Sequence, residues 1–312
     1  MTKVDRMIKK KMIESEENGI RLDRWFKKHY PHLAYNLLQK LLRKGQIRVN
    51  SSRVKTNTLL TTGDEVRLPP LDQEQREAPK RTTLSAREET VLRAMIIFEN
   101  DAFFVVNKPS GIAVQGGSHQ RHALDELFKC LPGYEEARLT HRLDKDTSGV
   151  LLFAKTMHDA AWLTGAFKSR AMEKVYHALT ESPPPHSIGV MEGALEKKHH
   201  KMQMVEDSEE NAKEATTHYR ILKQHRSGVT WVELRPLTGR MHQLRVHCAD
   251  HGFPIIGDSK YGNPHAEQQE RLCLHAFSLS FEAPNGRRFT FEAPYPAYFK
   301  NHLQALSWLD VE

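Results

Sequence analysis

Residues 141–155 read HRLDKDTSGVLLFAK, and the change from polar to apolar within this stretch decides the fold around it. A dense polar cluster, His141 to Gly149, runs directly into the apolar run Val150 to Phe153, a pattern typical of a buried strand. Reactive side chains commonly lie where a loop enters a rigid strand. We therefore expect a functional site immediately before this strand.

Two acidic residues of this cluster, Asp144 and Asp146, have several possible roles: metal ligands, caps of the loop, or an acid/base pair. Capping is the ordinary role, because Asp side chains in turns usually satisfy nearby backbone amides. A second polar cluster, Thr238 to His247, places His247 four residues before His251. On a helix this pair could bind a metal, although no Glu stands between them as in His-Glu-x-x-His. Residue chemistry alone leaves these roles open.

The segments around the two clusters predict a mixture of strands and helices. Strands are predicted at Met95–Phe98, Phe103–Asn107, Gly149–Ala154, Lys174–Leu179, Thr216–Leu222, Thr230–Pro236 and Leu274–Phe281, and helices at Ala123–Leu131 and Met157–Phe167. Strands and helices without a regular βαβ alternation favour an α+β fold over a doubly wound sheet.

The first 70 residues have a pattern of their own. Leucines at positions 37, 38, 41 and 42 recur at helical spacing, and Gly45 ends that helix because glycine tolerates left-handed geometry. Short strands are predicted at Gln46–Asn50, Arg53–Thr56 and Glu65–Leu68. Residues 71–92 are charged and poor in large apolar side chains, which suits a linker. The chain is therefore predicted to hold a small α/β module at 18–80 and a larger domain at 92–312.

Charge is unevenly distributed along the chain. The net charge is +7, yet residues 1–70 alone hold sixteen Lys and Arg against seven Asp and Glu. A basic module suggests a polyanionic partner, although a solvated charged face is the alternative. The three cysteines are too few and too scattered for a disulfide framework, which suits a reducing cytoplasm. No apolar stretch is long enough for a membrane span or a signal peptide, so no membrane association is expected.

Residues 141–155 resemble the signature segment of RluA-family pseudouridine synthases. Further similar segments follow in order: NKPSG at 107–111, KVYHAL at 174–179, LTGRMHQLRVH at 237–247, GFPIIGDSKYG at 252–262 and LHA at 274–276. Residues 18–70 also resemble the small RNA-binding domain named after ribosomal protein S-four, through GIRLDRWFKK, LLQKLLRKGQIRVN and GDEVRLPP. The resemblance implies an N-terminal RNA-binding module followed by a catalytic domain with a mixed, mainly antiparallel sheet.

The resemblance also assigns roles to single residues. Asp144 matches the family's nucleophile, and Tyr176 matches the aromatic side chain that stacks on the flipped base. Arg245 matches the basic residue that pairs with the nucleophile, a role for which Arg240 is a second candidate. Residues expected to contact RNA are Arg142, Arg240 and Leu244 in the catalytic domain and Lys40, Arg43, Lys44 and Arg48 in the N-terminal module.

Members with this domain order modify uridines in large-subunit ribosomal RNA, free or in a precursor particle, and need neither an organic cofactor nor a metal. The same chemistry on transfer RNA is one alternative. A ribosome-assembly protein that binds RNA without chemistry is a second, and a metal-dependent nuclease using Asp144 and Asp146 is a third. A monomer in the cytoplasm is expected.

Overall fold

The computed structural model describes residues 9–31, 33, 35–70, 84–116, 123–198, 201–206, 211–262 and 271–309. The chain forms two compact units, Met1–Arg81 and Thr82–Glu312. Most of the predicted linker, residues 71–83, lies outside the described residues. Among the helices that the structure describes, none has the length and apolar character needed to cross a bilayer.

The first unit packs two helices on a three-stranded antiparallel sheet with the order β1-β3-β2. Its elements are β1 (Lys9–Met12), α1 (Leu22–His29), α2 (Tyr35–Arg43), β2 (Arg48–Val49) and β3 (Glu65–Leu68). Helix α1 buries Leu22, Trp25 and Phe26, which share one face at spacings of three and four. The strand predicted at Arg53–Thr56 is wrong, since that segment is irregular. Strand β1 escaped prediction because its sequence, KKKM, carries no apolar alternation.

The second unit is α+β, as predicted, and is built on one large sheet. Its elements are α3 (Ala86–Ala94), β4 (Ile96–Glu99), β5 (Phe103–Lys108), α4 (Leu124–Cys130), β6 (Arg138–Leu139), β7 (Ser148–Ala154), α5 (Met157–Lys168), β8 (Glu173–Thr180), β9 (Ile188–Lys198), β10 (Lys201–Val205), β11 (Lys213–Gln224), β12 (Thr230–Pro236), α6 (Gln243–Asp250), β13 (Leu274–Glu282), β14 (Arg288–Glu292) and α7 (Ala297–Ala305). The sheet order is β10-β9-β11-β12-β8-β13-β7-β5-β4, with β14 beside β13 and β6 beside β7. Of the described strand pairs, only β7 and β13 run parallel.

Strand β7 is the apolar run identified in the sequence, and all seven of its residues are buried. Val150 and Leu152 join one hydrophobic cluster, whereas Leu151 and Phe153 join another. Because successive side chains of a strand point to opposite faces, both faces of the sheet are covered at this point. The loop before β7 therefore rests on a rigid, fully packed strand.

Several elements of the second unit were not predicted. Helix α3 begins within the segment interpreted as a linker and extends two residues beyond it. Its start is a capping box in which Ser85 and Glu88 satisfy each other's backbone amides. The β9–β10 hairpin, β14 and α7 were also missed. The hairpin alternates charged and apolar residues only weakly, since Glu196, Lys197 and Lys198 interrupt the pattern.

Candidate active site

One cavity of about 890 Å³ in the second unit brings together every candidate site residue predicted there. Its lining includes Asp144, Tyr176, Arg245, Arg142, Arg240 and Leu244. These residues are far apart in sequence and come from the loop before β7, from β8 and from the segment around α6. Of the described residues in the lining, seven are Lys or Arg and one, Asp144, is acidic. The cavity therefore suits an anionic ligand that approaches a single carboxylate.

The loop that carries Asp144 is fixed from below by Lys108, a fully buried lysine at the end of β5. Its Nζ donates hydrogen bonds to the carbonyl oxygens of Pro109 (2.9 Å), Lys145 (2.9 Å) and Thr147 (2.8 Å). Burial lowers the pKa of Lys108 to about 8, a shift that the charges of the nearby aspartates oppose. Three carbonyl acceptors match the three donors of an ammonium group. This lysine thus holds the backbone within and directly after the Asp144–Asp146 turn.

Close packing between β7 and β13 fixes the other end of this loop. Gly149 has a φ of 112°, and a Cβ there would lie 2.2 Å from the carbonyl oxygen of Ala276. Beside it, the buried Ser148 hydroxyl lies 2.9 Å from Nδ1 of His275. Any side chain at position 149 would push the parallel strands apart. Only glycine therefore fits at this position of the signature motif.

Tyr176 lies at the centre of the sheet, opposite Leu234 of β12 and Ala276 of β13. Its partly buried ring packs against two of the hydrophobic clusters. Burial raises its pKa above the ordinary value, and the charge of Asp144 adds to that effect. The phenol is therefore protonated at neutral pH and offers a flat ring and a hydroxyl donor beside the carboxylate.

Arg245 pairs with Asp258 rather than with Asp144, which corrects the pairing expected from the resemblance. Its Nε and Nη2 donate to the two carboxylate oxygens of Asp258 at 2.8 and 2.6 Å, and both side chains are buried. Burial alone would lower the pKa of Arg245, but the bonds and charge of Asp258, with a smaller effect of Asp144, raise it. Arg245 is thus a fixed positive charge that acts on Asp144 through space.

The second candidate for that pairing, Arg240, is also engaged elsewhere. Its Nε donates to the carbonyl oxygen of Glu214 at 2.9 Å, so among the described groups the partner of its side chain lies at the start of strand β11. Arg142 is an exposed part of the cavity lining, and Leu244 is a buried part of it with 6 % of its surface exposed. These positions suit contacts with a ligand that enters the cavity.

Among the described residues, His242 is the cation-forming group found within 4 Å of the Asp144 carboxylate, and sequence reasoning missed it. Its Nε2 lies 3.9 Å from Oδ1 of Asp144, while its Nδ1 lies 2.8 Å from the hydroxyl of Tyr261. Burial lowers its pKa, although the charge of Asp144 opposes that shift. The residue has a left-handed φ of 53° directly before α6, a strained conformation for histidine. That φ cannot be read from sequence, but the residue stands inside the motif LTGRMHQLRVH.

Comparison with known proteins now identifies the family. A family model described as RNA pseudouridylate synthase matches residues 102–250. The chain is 34 % identical to "Ribosomal large subunit pseudouridine synthase C" of Rickettsia typhi, over 91 % of this chain and 96 % of that protein. The protein of the same name from Haemophilus influenzae is 35 % identical, over 97 % and 96 % of the two chains.

The chain belongs to the RNA pseudouridylate synthase family. The solved structure of human RNA Pseudouridylate Synthase Domain Containing 4 is similar, with a TM-score of 0.60, 28 % identity, and coverage of 71 % of this chain and 97 % of that one. These findings confirm the resemblance drawn from residues 141–155. They also confirm the predicted enzyme class, an isomerase that converts uridine to pseudouridine in RNA.

The four basic residues predicted to bind RNA in the first unit of the synthase differ in their surroundings. Lys40, Arg43 and Lys44 are exposed at the end of α2. Arg48 is half-buried, and its guanidinium donates to the carbonyl oxygens of Gly45 (3.1 Å) and Ser51 (3.0 Å). Three of the four are therefore free to meet a ligand, whereas Arg48 also ties the helix end to the following turn.

The alternative of a metal site depends on His247 and His251, the pair singled out in the sequence. Among the described residues of the synthase, no group of three or more His, Cys, Asp or Glu side chains could hold a metal ion. His247 and His251 do lie on and just beyond one helix, α6. However, Nδ1 of His247 faces the Thr217 hydroxyl at 3.1 Å, and Nδ1 of His251 faces the His247 carbonyl at 2.9 Å. Each ring is thus held through its Nδ1, while the buried Nε2 of His247 has no hydrogen-bond partner among the described residues.

Proposed function

We propose that this synthase converts uridines to pseudouridine in large-subunit ribosomal RNA and that Asp144 is its nucleophile. The observation that carries the proposal is the single cavity in which one carboxylate, one aromatic ring and a cluster of cations converge. The substrate class is supported by the relatives named ribosomal large subunit pseudouridine synthase C, which match almost the whole chain. Asp144 is the one acidic residue in the described lining of the cavity, so no other described carboxylate there is a candidate for the nucleophile.

The reaction replaces the bond between N1 of uracil and C1′ of ribose with a bond between C5 and C1′, and the proton lost from C5 is balanced by a proton gained at N1. A uridine inside a helix hides these atoms, so the nucleotide must leave the stack before a side chain can reach it. The carboxylate of Asp144 then attacks the uracil ring or C1′ and is released when the base rejoins. The ring of Tyr176 stacks on the base, and its protonated hydroxyl serves as a donor.

The first unit supplies sequence-tolerant affinity in this proposal. Its excess of positive charge suits the phosphate backbone, and phosphate contacts position an RNA without reading its sequence. We infer that it is an RNA-binding domain of the S-four type and that Lys40, Arg43 and Lys44 are among its contacts. A monomer that works in the cytoplasm without a cofactor completes the proposal.

The deciding experiment follows tritium release from RNA labelled at uracil C5, with the purified synthase and no added metal. Large-subunit ribosomal and transfer RNA transcripts are compared, each with and without a chelator. We expect release from the ribosomal transcript alone, unaffected by the chelator, because the proposed chemistry needs no metal.

Other outcomes favour the competing functions. Release from transfer RNA alone would move the substrate class to that RNA. Binding of both transcripts without release, repeated with a precursor particle, would favour an assembly protein without chemistry. Strand cleavage that the chelator abolishes would favour the nuclease that uses Asp144 and Asp146.

A further inference from the structure

One wall of the cavity takes no part in the chemistry proposed for Asp144 and Tyr176. It is formed by the last turn of α5 and the residues after it, where Phe167, Lys168 and Arg170 line the same cavity as Asp144. Lys168 and Arg170 are exposed. Within the described part of the chain, neither side chain has a hydrogen bond or an ion pair. Both cations are therefore available to a ligand.

The backbone at Arg170 is strained in a way that points to function. Its φ is 63°, in the left-handed region, and the amides of Arg170 and Ala171 close the helix by donating to the carbonyls of Phe167 (3.3 Å) and Ala166 (3.0 Å). This helix-ending motif normally carries glycine, because a Cβ is unfavourable there. Residues held in such conformations cluster at functional sites. Here the unfavourable conformation places a guanidinium on the cavity wall.

The wall is firmly joined to the reacting centre. The ring of Phe167 stacks on His141 with centroids 4.3 Å apart, and Nε2 of His141 accepts a hydrogen bond of 3.0 Å from the Leu152 amide of β7. Burial lowers the pKa of His141 to about 3, so the ring is neutral and adds no charge. The end of α5 is thus held at a fixed position relative to the loop of Asp144.

Positive charge accumulates along this wall. Lys174 of β8 also lines the cavity, and its Nζ donates to the Thr238 carbonyl at 3.2 Å. Burial lowers the pKa of Lys174 to about 8, and the charge of Arg170 contributes to that shift. Like charges held together in this way are relieved by a bound anion.

We propose that Lys168 and Arg170 bind an RNA phosphate adjacent to the flipped uridine and so fix the nucleotide in front of Asp144. This inference rests on the proposed function, because it assumes that an RNA strand enters the cavity. Arg170 is then a positioning residue with a bidentate guanidinium, the group best suited to phosphate, and Lys168 adds a point charge. A contact of this kind contributes to capture of the RNA more than to the chemical step.

The test uses Arg170→Gly, which removes the charge and at the same time suits the left-handed backbone. We expect kcat/KM for tritium release to fall about tenfold, as for the loss of one charged hydrogen-bonding contact. The value of kcat at saturating RNA should change less than about twofold. The slope of log kcat/KM against log salt should become shallower by about 0.7, the value for one phosphate contact on a single strand. The melting temperature should not fall.

The matched control is Ser307→Gly, at the end of α7. Ser307 has a φ of 56° and the same pair of closing bonds, from Ser307 to Gln304 (2.9 Å) and from Trp308 to Leu303 (2.8 Å), but it does not line the cavity. Its melting temperature should likewise not fall, and its kinetics should be unchanged. Arg170→Lys, which keeps the charge, should retain more of kcat/KM than Arg170→Gly.

Two results would overturn the inference. One is an unchanged kcat/KM and salt slope in both Arg170→Gly and Lys168→Gln. The other is a fall in kcat at an unchanged KM, which would make Arg170 a participant in the chemical step. Failure of the proposed function is distinguishable, because the wild-type protein would then release no tritium, while titration with fluorescent RNA would still report whether Arg170→Gly weakens binding.

Discussion

The two units of the chain use positive charge differently. Residues 1–70 hold sixteen Lys and Arg against seven Asp and Glu, and the predicted RNA contacts Lys40, Arg43 and Lys44 are exposed on a small three-stranded unit. In the second unit, cations converge on one cavity around a single carboxylate, and one of them, Arg245, is buried and paired. Dispersed charge attracts a polyanion without selecting a position, whereas charge fixed in a cavity acts on defined atoms.

Their buried ionisable groups differ as well. In the first unit, Glu17 accepts hydrogen bonds from Trp25 and His29, and these bonds outweigh burial and lower its pKa to about 2. In the second unit, burial lowers the pKa of His247 and His275 to about 4. Both units therefore bury a charged carboxylate, but the second unit also buries neutral imidazoles that take up a proton at a higher pH than Glu17, which makes their responses to acid different.

The largest expected effect is the loss of the buried ion pair in the second unit. Asp258→Asn leaves the Arg245 charge without a partner and should lower the free energy of unfolding by about 3–5 kcal/mol. The control is Asp23→Asn in the first unit, where the partner Arg21 is 47 % exposed, and it should cost less than about 1 kcal/mol. Urea unfolding measures both. Equal losses of unfolding free energy in the two variants would show that the charges of the second unit are no more tightly fixed than those of the first.

The next largest expected effect is that acid destabilises the second unit at a higher pH than the first unit. A histidine whose folded pKa is lowered to about 4 stabilises the protein fully above pH 6.5 and loses that contribution as the pH falls to about 4. For a fully buried histidine this amounts to about 3 kcal/mol. For Glu17 the corresponding loss occurs only between pH 4.5 and about 2. Hydrogen exchange at pH 7, 6 and 5 should therefore show faster opening of residues 82–312 first. Earlier opening of residues 1–81 would contradict this order.

The smallest expected effect concerns the dispersed charge. Replacing Lys40, Arg43 and Lys44 with Gln should raise KM for labelled RNA about tenfold near 0.1 M salt, leave kcat unchanged and reduce the salt slope by about 2. The reason is that phosphate contacts contribute affinity and not chemistry. A control with the same change in charge replaces exposed residues of the second unit, Arg87, Lys129 and Arg226. An equal effect of the control would mean that net charge matters and position does not.

Much of the candidate active site could be predicted because its residues lie in contiguous motifs. The polar cluster of Asp144 before an apolar strand, the aromatic residue of KVYHAL and the basic residues around position 245 all line one cavity. The helix and strand patterns of β5, β7, α5 and β12 also emerged from periodicity. These features are local, so a single sequence carries them.

Features that depend on long-range partners could not be predicted. The pairing of Arg245 with Asp258 joins residues thirteen positions apart, and the resemblance pointed to Asp144 instead. The three bonds of Lys108 end on backbone carbonyls, which have no sequence signature. Helix α3 was missed because its charged residues look like a linker, although Ser85 and Glu88 carry the capping signal.

The central claim is that Asp144 performs the chemistry while other groups hold the RNA. Single-turnover tritium release at saturating labelled ribosomal RNA tests it directly, with wild type, Asp144→Asn and the neighbouring control Asp146→Asn. Asp144→Asn should release no tritium above background and bind the RNA within about threefold of wild type, a change of less than about 0.7 kcal/mol. Asp146→Asn should stay within about threefold of the wild-type rate. If Asp144→Asn retained a rate within tenfold of wild type, Asp144 would not be the nucleophile.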